Sequence, residues 1–459
     1  MNTLKPYFLD ALKQAVGPEN LYCDPFSLSC YSYDSSGITS YPACVLTPVS
    51  TEQIARCLKL AYEEGVPVFS RGAGSGRTGA SVPHNGIALA LTRMNRIVSV
   101  SNEDLLAEVE PGVVTGEFQR VVEGRGLFYP PDPASLAFCT LGGNAATCAG
   151  GPRAVKYGVT RDYVRGMEVV LANGDVVNIG VRTAKGVAGY DLTRLLVGSE
   201  GTLAVFSRLF LRLIPRPQRV GTLLAFFSDT SSAMNAVLAI FNVGILPRAA
   251  EFLDEVSLRC VSKDMPDSVP ADAKAMLLLE VDGTQDGVAY ELATVLECCK
   301  LNRAVYYKSA ESQQDVQKIW SVRRGISPAI KRLAYCSRIS EDICVPRHAL
   351  PETIKRLHAL GEKYDVYILS FGHAGDGNLH VNCLFQEGPE SPKIQQVMTE
   401  IFQTALDLGG TISGEHGIGL TKKAFLEKEL GKEVVSLMKN IKKVFDVKGI
   451  LNPDKIFDI

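Results

Sequence analysis

Six histidines occur in the 459 residues, and three of them fall in two short polar segments near the C-terminus. The first segment runs Phe371-Gly-His373-Ala-Gly-Asp-Gly-Asn-Leu-His380-Val-Asn382. VYILSF before it and HVNCLF after it read as strands, with AGDGN as the turn, so His373 and His380 flank the turn of a hairpin and can converge on one point. The second segment, Ser413-Gly-Glu415-His416-Gly-Ile-Gly419, is a glycine-flanked Glu-His pair after a predicted helix. Two imidazoles and one carboxylate make a catalytic metal set that leaves coordination positions for a substrate. Zinc is the first expectation for that divalent metal, ahead of manganese or iron. Taken singly, each histidine would read as a hydrogen-bonded structural residue. The joint pattern shifts the balance, because glycines bring the backbone close on both sides of each candidate, and loops built that way serve ligands.

A second chemistry is written in glycine. Gly74-Ser-Gly76-Arg-Thr-Gly79 matches G-x-G-x-x-G, which in a Rossmann unit places a pyrophosphate at the N-terminus of the helix that follows. Here ASVPHNGIALAL follows: Pro83 and Asn85-Gly86 punctuate the chain and a strand begins, so no helix of useful length fits. The loop is instead expected to hold a pyrophosphate with its own backbone N–H groups, as an anion-binding nest. Two further small-residue segments, YPPDPASLAFCTLGGNAATCAGG at 129–151 and LLVGSEGTLAV at 195–205, lie in the same half of the chain. Gly142-Gly143 and Gly150-Gly151 permit close approach to a flat ligand, and three such segments point to a large, extended cofactor.

RGAGSGRTG, then PPDPAS…LGGNAATCAGGPRAVKYGVTRDYVRGMEVVLANGD, then GYDLTRLLVGSEGTLAV, resemble the vanillyl-alcohol-oxidase/PCMH superfamily of FAD proteins. Within it the chain is most similar to the branch of glycolate oxidase flavoprotein subunits, D-lactate dehydrogenases and D-2-hydroxyglutarate dehydrogenases, nearly end to end through LNPDKIF at 451–457. The resemblance implies that Arg71, Gly72, Ala73, Gly74, Ser75, Gly76, Gly79 and Ala80 hold the FAD pyrophosphate. It implies that Pro131, Asp132, Gly142, Gly143, Ala146, Thr147, Gly150, Gly151, Glu200, Gly201, Val205 and Asn452 line the rest of the cofactor. The flavin is expected to be non-covalent, because His84, the only histidine before residue 348, lies beyond the loop rather than at the family's attachment position. The same resemblance makes His373, His380 and Glu415 the metal ligands and His416 the catalytic base. It also makes Arg323, in Trp320-Ser-Val-Arg323, the clamp on the substrate carboxylate.

The implied reaction is oxidation of a small 2-hydroxy acid: the metal acts as Lewis acid on the hydroxyl, a histidine accepts its proton, and hydride passes to the flavin. One departure bears on the substrate. The hydroxyglutarate enzymes place a lysine for the second carboxylate where this chain has Ser340, with Arg338 two residues earlier, so D-lactate or glycolate is favoured over D-2-hydroxyglutarate. That dicarboxylate activity, or service as the flavoprotein subunit of a larger glycolate oxidase complex, stands as the alternative. No nicotinamide site is visible. The electrons are therefore expected to leave to a protein or quinone, such as an iron–sulfur subunit or an electron-transferring flavoprotein, with the chain working as a homodimer or a complex subunit.

The elements that must position these residues can be read in outline. Ser50 and Gln53 have capping-box spacing, Ile54, Cys57, Leu58 and Ala61 recur at helical intervals, Gly65 stops the helix, and VPVFS is a strand leading into the glycine loop. PRPQR at 215–219 reads as a hinge. Beyond it, strands at 223–227 and 275–281 alternate with helices at 230–242 and 286–299, as in an antiparallel sheet covered by helices. The expected fold is α+β: a two-subdomain PCMH-type FAD domain over 1–217, a substrate or cap domain over 218–412, and a segment 413–459 returning to complete the FAD site. A last, Lys-rich helix at 433–446 carries Val434, Leu437, Met438, Ile441 and Phe445 on one face, and peripheral membrane contact is one reading of it. Net charge of −2 offers no field for nucleic acid. The twelve cysteines contain no C-x-x-C pair, which argues for reduced thiols in a cytoplasmic protein, at most peripheral at the inner face of the membrane.

Overall fold

The computed structural model describes residues 4–262, 269–333, 335, 337–388 and 391–458. The outermost residues of the expected domains and one of the cysteines, Cys336, lie outside them. The chain forms two compact units. The first comprises residues 1–150, 159–216 and 415–459, and the second comprises 151–158 and 217–414. The short excursion at 151–158 has no counterpart in the sequence reading.

In the first unit, β1 (Leu21–Tyr22), β2 (Cys44–Leu46), α1 (Thr51–Glu64), β3 (Val68–Arg71) and β4 (Ile87–Ala90) build a four-stranded sheet in the order β1-β2-β4-β3. Helix α1 starts where the Ser50 side chain accepts from Gln53 N and ends at Gly65 in a left-handed conformation (φ 68°). Its buried face of Ile54, Cys57, Leu58 and Ala61 packs into a core with Val68, Ile87 and Val205. Each fully buried aliphatic side chain there is worth about 1.5–3 kcal/mol. Strands β3 and β4 run parallel, and residues 72–86 connect them without a helix, as the proline and Asn-Gly signals require. A second sheet is antiparallel and comprises β5 (Ile97–Ser101), β6 (Leu106–Val109), β7 (Val164–Val170), β8 (Val176–Gly180) and β9 (Val205–Arg212), ordered β5-β6-β9-β7-β8. Helix α2 (Leu141–Thr147) precedes β7 and is capped by Thr140, whose Oγ1 accepts from Gly143 N.

The second unit is one antiparallel sheet with helices on it. Its elements are β10 (Arg219–Phe227), α3 (Thr230–Asn242), β11 (Ala249–Asp254), β12 (Ala275–Gly283), α4 (Gln285–Leu301), β13 (Ala304–Ser309), α5 (Gln313–Lys331), β14 (Ser337–Cys344), α6 (Leu350–Tyr364), β15 (Tyr367–His373), β16 (Asn378–Phe385) and α7 (Pro392–Asp407). The strand order is β13-β10-β12-β11-β15-β16-β14. Ser312 and Asp315 form a reciprocal capping box that starts α5. Leu224, Phe226, Leu253, Met276, Leu278, Leu369 and Phe371 turn toward Ile319, Val322 and Ile326 of α5 to form the core.

The chain re-enters the first unit at Glu415 and ends with α8 (Lys432–Phe445). That helix buries the face its periodicity suggests only in part: Met438 packs against Leu426 and Val435, and Ile441 and Phe445 are half-buried, but the inward stripe is turned toward Val435 and Lys442. Val434 and Leu437 are 44% and 60% exposed, whereas Val435 and Lys442 are buried. The cause is polar: Lys442 Nζ bonds Asp446, Thr202 O (2.6 Å) and Leu451 O (2.8 Å), and these fixed acceptors hold the lysine face inward. Among the described residues no helix is long and apolar enough to cross a membrane.

Candidate active site

In the second unit the hairpin forms as its residues dictate. Strands β15 and β16 pair with His373 opposite Asn378 and Phe371 opposite His380, and the turn closes through Gly377 N to His373 O (3.0 Å). Gly377 has φ 89°, and a Cβ there would lie 1.9 Å from Val345 O, so only glycine fits. His373 and His380 are both buried. Their rings meet edge to face with centroids 5.3 Å apart, and one nitrogen of each lies within 4.8 Å of the other.

Glu251, on β11 directly opposite His373, is fully buried and joins two candidate residues. Its Oε1 is 2.6 Å from His373 Nδ1, and its Oε2 accepts from Arg323 Nε at 2.6 Å. Burial alone would raise the Glu251 carboxyl, but the adjacent His373 and Arg323 outweigh it and hold the group below the ordinary carboxylate value. The Arg323 guanidinium lies over the Phe371 ring, 5.0 Å from its centroid, while Arg324 is exposed. Because alternate residues share a sheet face, Glu251, His373, His380, Asn382 and Arg338 form a polar row beside the apolar core. Arg338 Nε reaches Asn382 Oδ1 at 3.1 Å, and Arg338 Nη2 reaches Ser327 Oγ at 3.1 Å. The unit ends at Gly414, whose Cβ position would fall 2.1 Å from Asn378 Nδ2, so the chain leaves this unit pressed against the hairpin.

In the first unit the three small-residue segments converge. No backbone N–H from Gly72 to Gly76 donates a hydrogen bond within the described residues, which leaves a run of donors of the kind a pyrophosphate takes up. The loop is braced by Arg71 Nη1 on Tyr33 O (2.6 Å) and by Ser35 N on Gly76 O (2.9 Å). A Cβ on Gly72 would meet Thr140 Oγ1 at 2.3 Å, so the first segment lies against the cap of α2. Glu200 N bonds Ala146 O (2.8 Å), which ties the third segment to the second. Asn452 Nδ2 bonds Glu200 O and Ala80 O, at 2.5 and 3.2 Å. Glu200 accepts from Ile418 N and Gly419 N at 2.7 and 2.8 Å, and Thr78 Oγ1 donates to His416 O at 3.4 Å. A side chain at Gly150 would strike the Glu415 carboxylate, 3.0 Å from its Cβ position.

Not every candidate joins this gathering by its side chain. Val205 points into the α1 core, which leaves only its backbone for a ligand. Pro131 O is held by Gln119 Nε2 (2.8 Å), and Gly151 belongs to the second unit. Sequence reasoning missed Glu251, whose signal was an acid amid the apolar residues of the strand AAEFLD, and the buried Asp34 and Lys455. Asp34 Oδ1 accepts from Ser36 N (2.8 Å) beside the loop, and Lys455 Nζ bonds Val82 O (2.8 Å) just beyond it.

Residues 216–456, more than half the chain, match the C-terminal domain of the FAD linked oxidases. The chain belongs to the FAD-linked oxidase family. Its residues 42–180, which include the glycine loop, match the FAD binding domain. Glycolate oxidase subunit GlcD of Bacillus subtilis is 41% identical to this FAD-linked oxidase over 98% of the chain and 96% of that protein. D-lactate dehydrogenase of Anaerostipes hadrus is 34% identical over 99% and 98%. D-2-hydroxyglutarate dehydrogenase of Stutzerimonas stutzeri is also 34% identical, over 98% and 99%. In fold, the structure of p-cresol methylhydroxylase with substrate bound superposes with a TM-score of 0.83 at 17% identity, covering 100% of this chain and 98% of that one. The resemblance in family and the PCMH-type fold expectation therefore both hold.

Proposed function

We propose that this FAD-linked oxidase is a dehydrogenase that oxidises a short D-2-hydroxy acid, D-lactate or glycolate by preference, to the 2-oxo acid. The observation that carries the reading is the buried histidine pair whose His373 Nδ1 is tied to Glu251, because a carboxylate accepting from Nδ1–H leaves Nε2 as the lone-pair nitrogen a metal takes. Glu415 is the proposed third ligand: it follows Gly414 by one peptide bond, and Gly414 is seated against the hairpin. Zinc fits two imidazoles and a carboxylate, with manganese or iron as further candidates. When bound, FAD would supply the hydride acceptor and the divalent metal a Lewis acid for the substrate oxygens. Arg323 binds the substrate carboxylate, with its plane set by Phe371 and its Nε edge held by Glu251. His416 accepts the hydroxyl proton on its imidazole. Arg338 is already engaged by Asn382 and Ser327, and Ser340 carries no charge, which supports a monocarboxylate over a dicarboxylate.

The FAD is held without a covalent bond on this reading, since His84 turns to Ser40 and Asn85. The name of the GlcD relative supports service as a complex subunit; a homodimer is the other proposed assembly, a protein or a quinone the proposed electron acceptor and the cytoplasm the proposed location. The deciding experiment is anaerobic titration of the yellow protein with D- and L-lactate, glycolate and D-2-hydroxyglutarate, before and after chelation. D-lactate or glycolate is expected to bleach the flavin fastest, chelation to abolish bleaching, and His416→Ala to retain FAD while bleaching at least ~100-fold more slowly. Fastest reduction by D-2-hydroxyglutarate would reassign the substrate, and full bleaching in metal-free protein would remove the metal.

A further inference from the structure

We infer that Glu251 is a positioning residue that couples the metal site to the carboxylate clamp, so that each sets the geometry of the other. The inference rests on the proposed roles of His373 and Arg323. Glu251 sits in the interior strand β11 between Ala250 and Phe252, fully buried, where a carboxylate is tolerated only if both oxygens are satisfied. They are satisfied by two residues distant in sequence, His373 Nδ1 on Oε1 and Arg323 Nε on Oε2, each at 2.6 Å. Cross-strand register places Glu251 directly opposite His373, so the first bond is built into the sheet. The second reaches up to α5 and draws the guanidinium down onto Phe371.

Two consequences follow for the chemistry. With Nδ1 donating to Glu251, His373 presents Nε2 as the lone-pair nitrogen, which fixes both the ring's rotation and its ligand atom. With Nε donating to Glu251, Arg323 can offer a substrate only its Nη atoms, and no acceptor among the described residues engages these. A nearby buried acid behaves differently: Glu280 takes Trp320 Nε1 and Thr222 Oγ1, at 2.7 and 2.8 Å, and pairs with Arg248, so it joins framework groups and no candidate ligand.

The test measures Zn2+ affinity by chelator competition on the FAD-loaded protein, together with KM for the 2-hydroxy acid at saturating Zn2+. Glu251→Gln keeps the shape but has one acceptor oxygen for two donors. It is expected to weaken Zn2+ binding about 10–100-fold and to raise KM by a similar factor. Arg323→Met, which removes no ligand and leaves Glu251 in place, is expected to weaken Zn2+ binding several-fold; this arm decides the matter if Glu251→Gln fails to fold. Unchanged Zn2+ affinity in Arg323→Met, or a Glu251→Gln protein that loses metal with KM unaltered, would overturn the coupling. His373→Ala separates the layers, because full Zn2+ affinity there would refute the ligand assignment itself.

Discussion

Glu200 is fully buried and accepts hydrogen bonds from Ile418 N and Gly419 N, yet its carboxyl is pushed up to about 7, because burial outweighs those bonds and the nearby lysines Lys455 and Lys422. Glu251 is equally buried and goes the other way, since His373 and the Arg323 guanidinium both bond it. The sign of the Glu200 effect on stability is definite. Between its unperturbed value of 4.5 and about 7 the folded chain holds a proton that the unfolded chain has released. The group's contribution is therefore fully present below 4.5 and is lost as pH rises through about 7, a change on the order of 3 kcal/mol. Denaturant midpoints from pH 4.5 to 8 should show this loss in the native sequence and not in Glu200→Gln. Parallel pH profiles for the two proteins would contradict the assignment.

The glycine loop belongs to the scale of elements. Gly74 has φ 69°, and a Cβ there would collide with the Arg71 side chain at 2.1 Å, the same side chain that braces the loop on Tyr33 O. Gly74→Ala should add about 1–2 kcal/mol of backbone strain and weaken FAD binding roughly tenfold, as read from the quenching of flavin fluorescence. Gly126→Ala, at a φ of 75° with open space around it, is the control expected to keep FAD affinity. Local signals made much of this scale legible. The Ser50 cap, the Gly65 stop, the missing helix after the loop and the AGDGN hairpin are short-range physics, and the structure carries each of them. The last helix was legible only in part, because periodicity counts apolar residues such as Met438, whereas Lys442 is drawn inward by acceptors on Thr202 and Leu451.

For the whole molecule, the open property is where the electrons go. The proposed dehydrogenase should turn over faster with a quinone or dye acceptor than with dioxygen, and peroxide formed in step with product would instead make it an oxidase. The sequence by itself pointed to a large, extended cofactor and to His373, His380, Glu415 and His416 as candidates, because backbone permissiveness and ligand chemistry reside in residue types and short spacings, while FAD and Arg323 came with the family resemblance. Only the tertiary structure decided what supports them. Glu251 meets His373 across 122 positions of sequence and Arg323 across 72, and Asn452 reaches Glu200 across 252. Such partners carry no local pattern, because they are chosen by strand register and by the need of a buried charge for every hydrogen bond it can make.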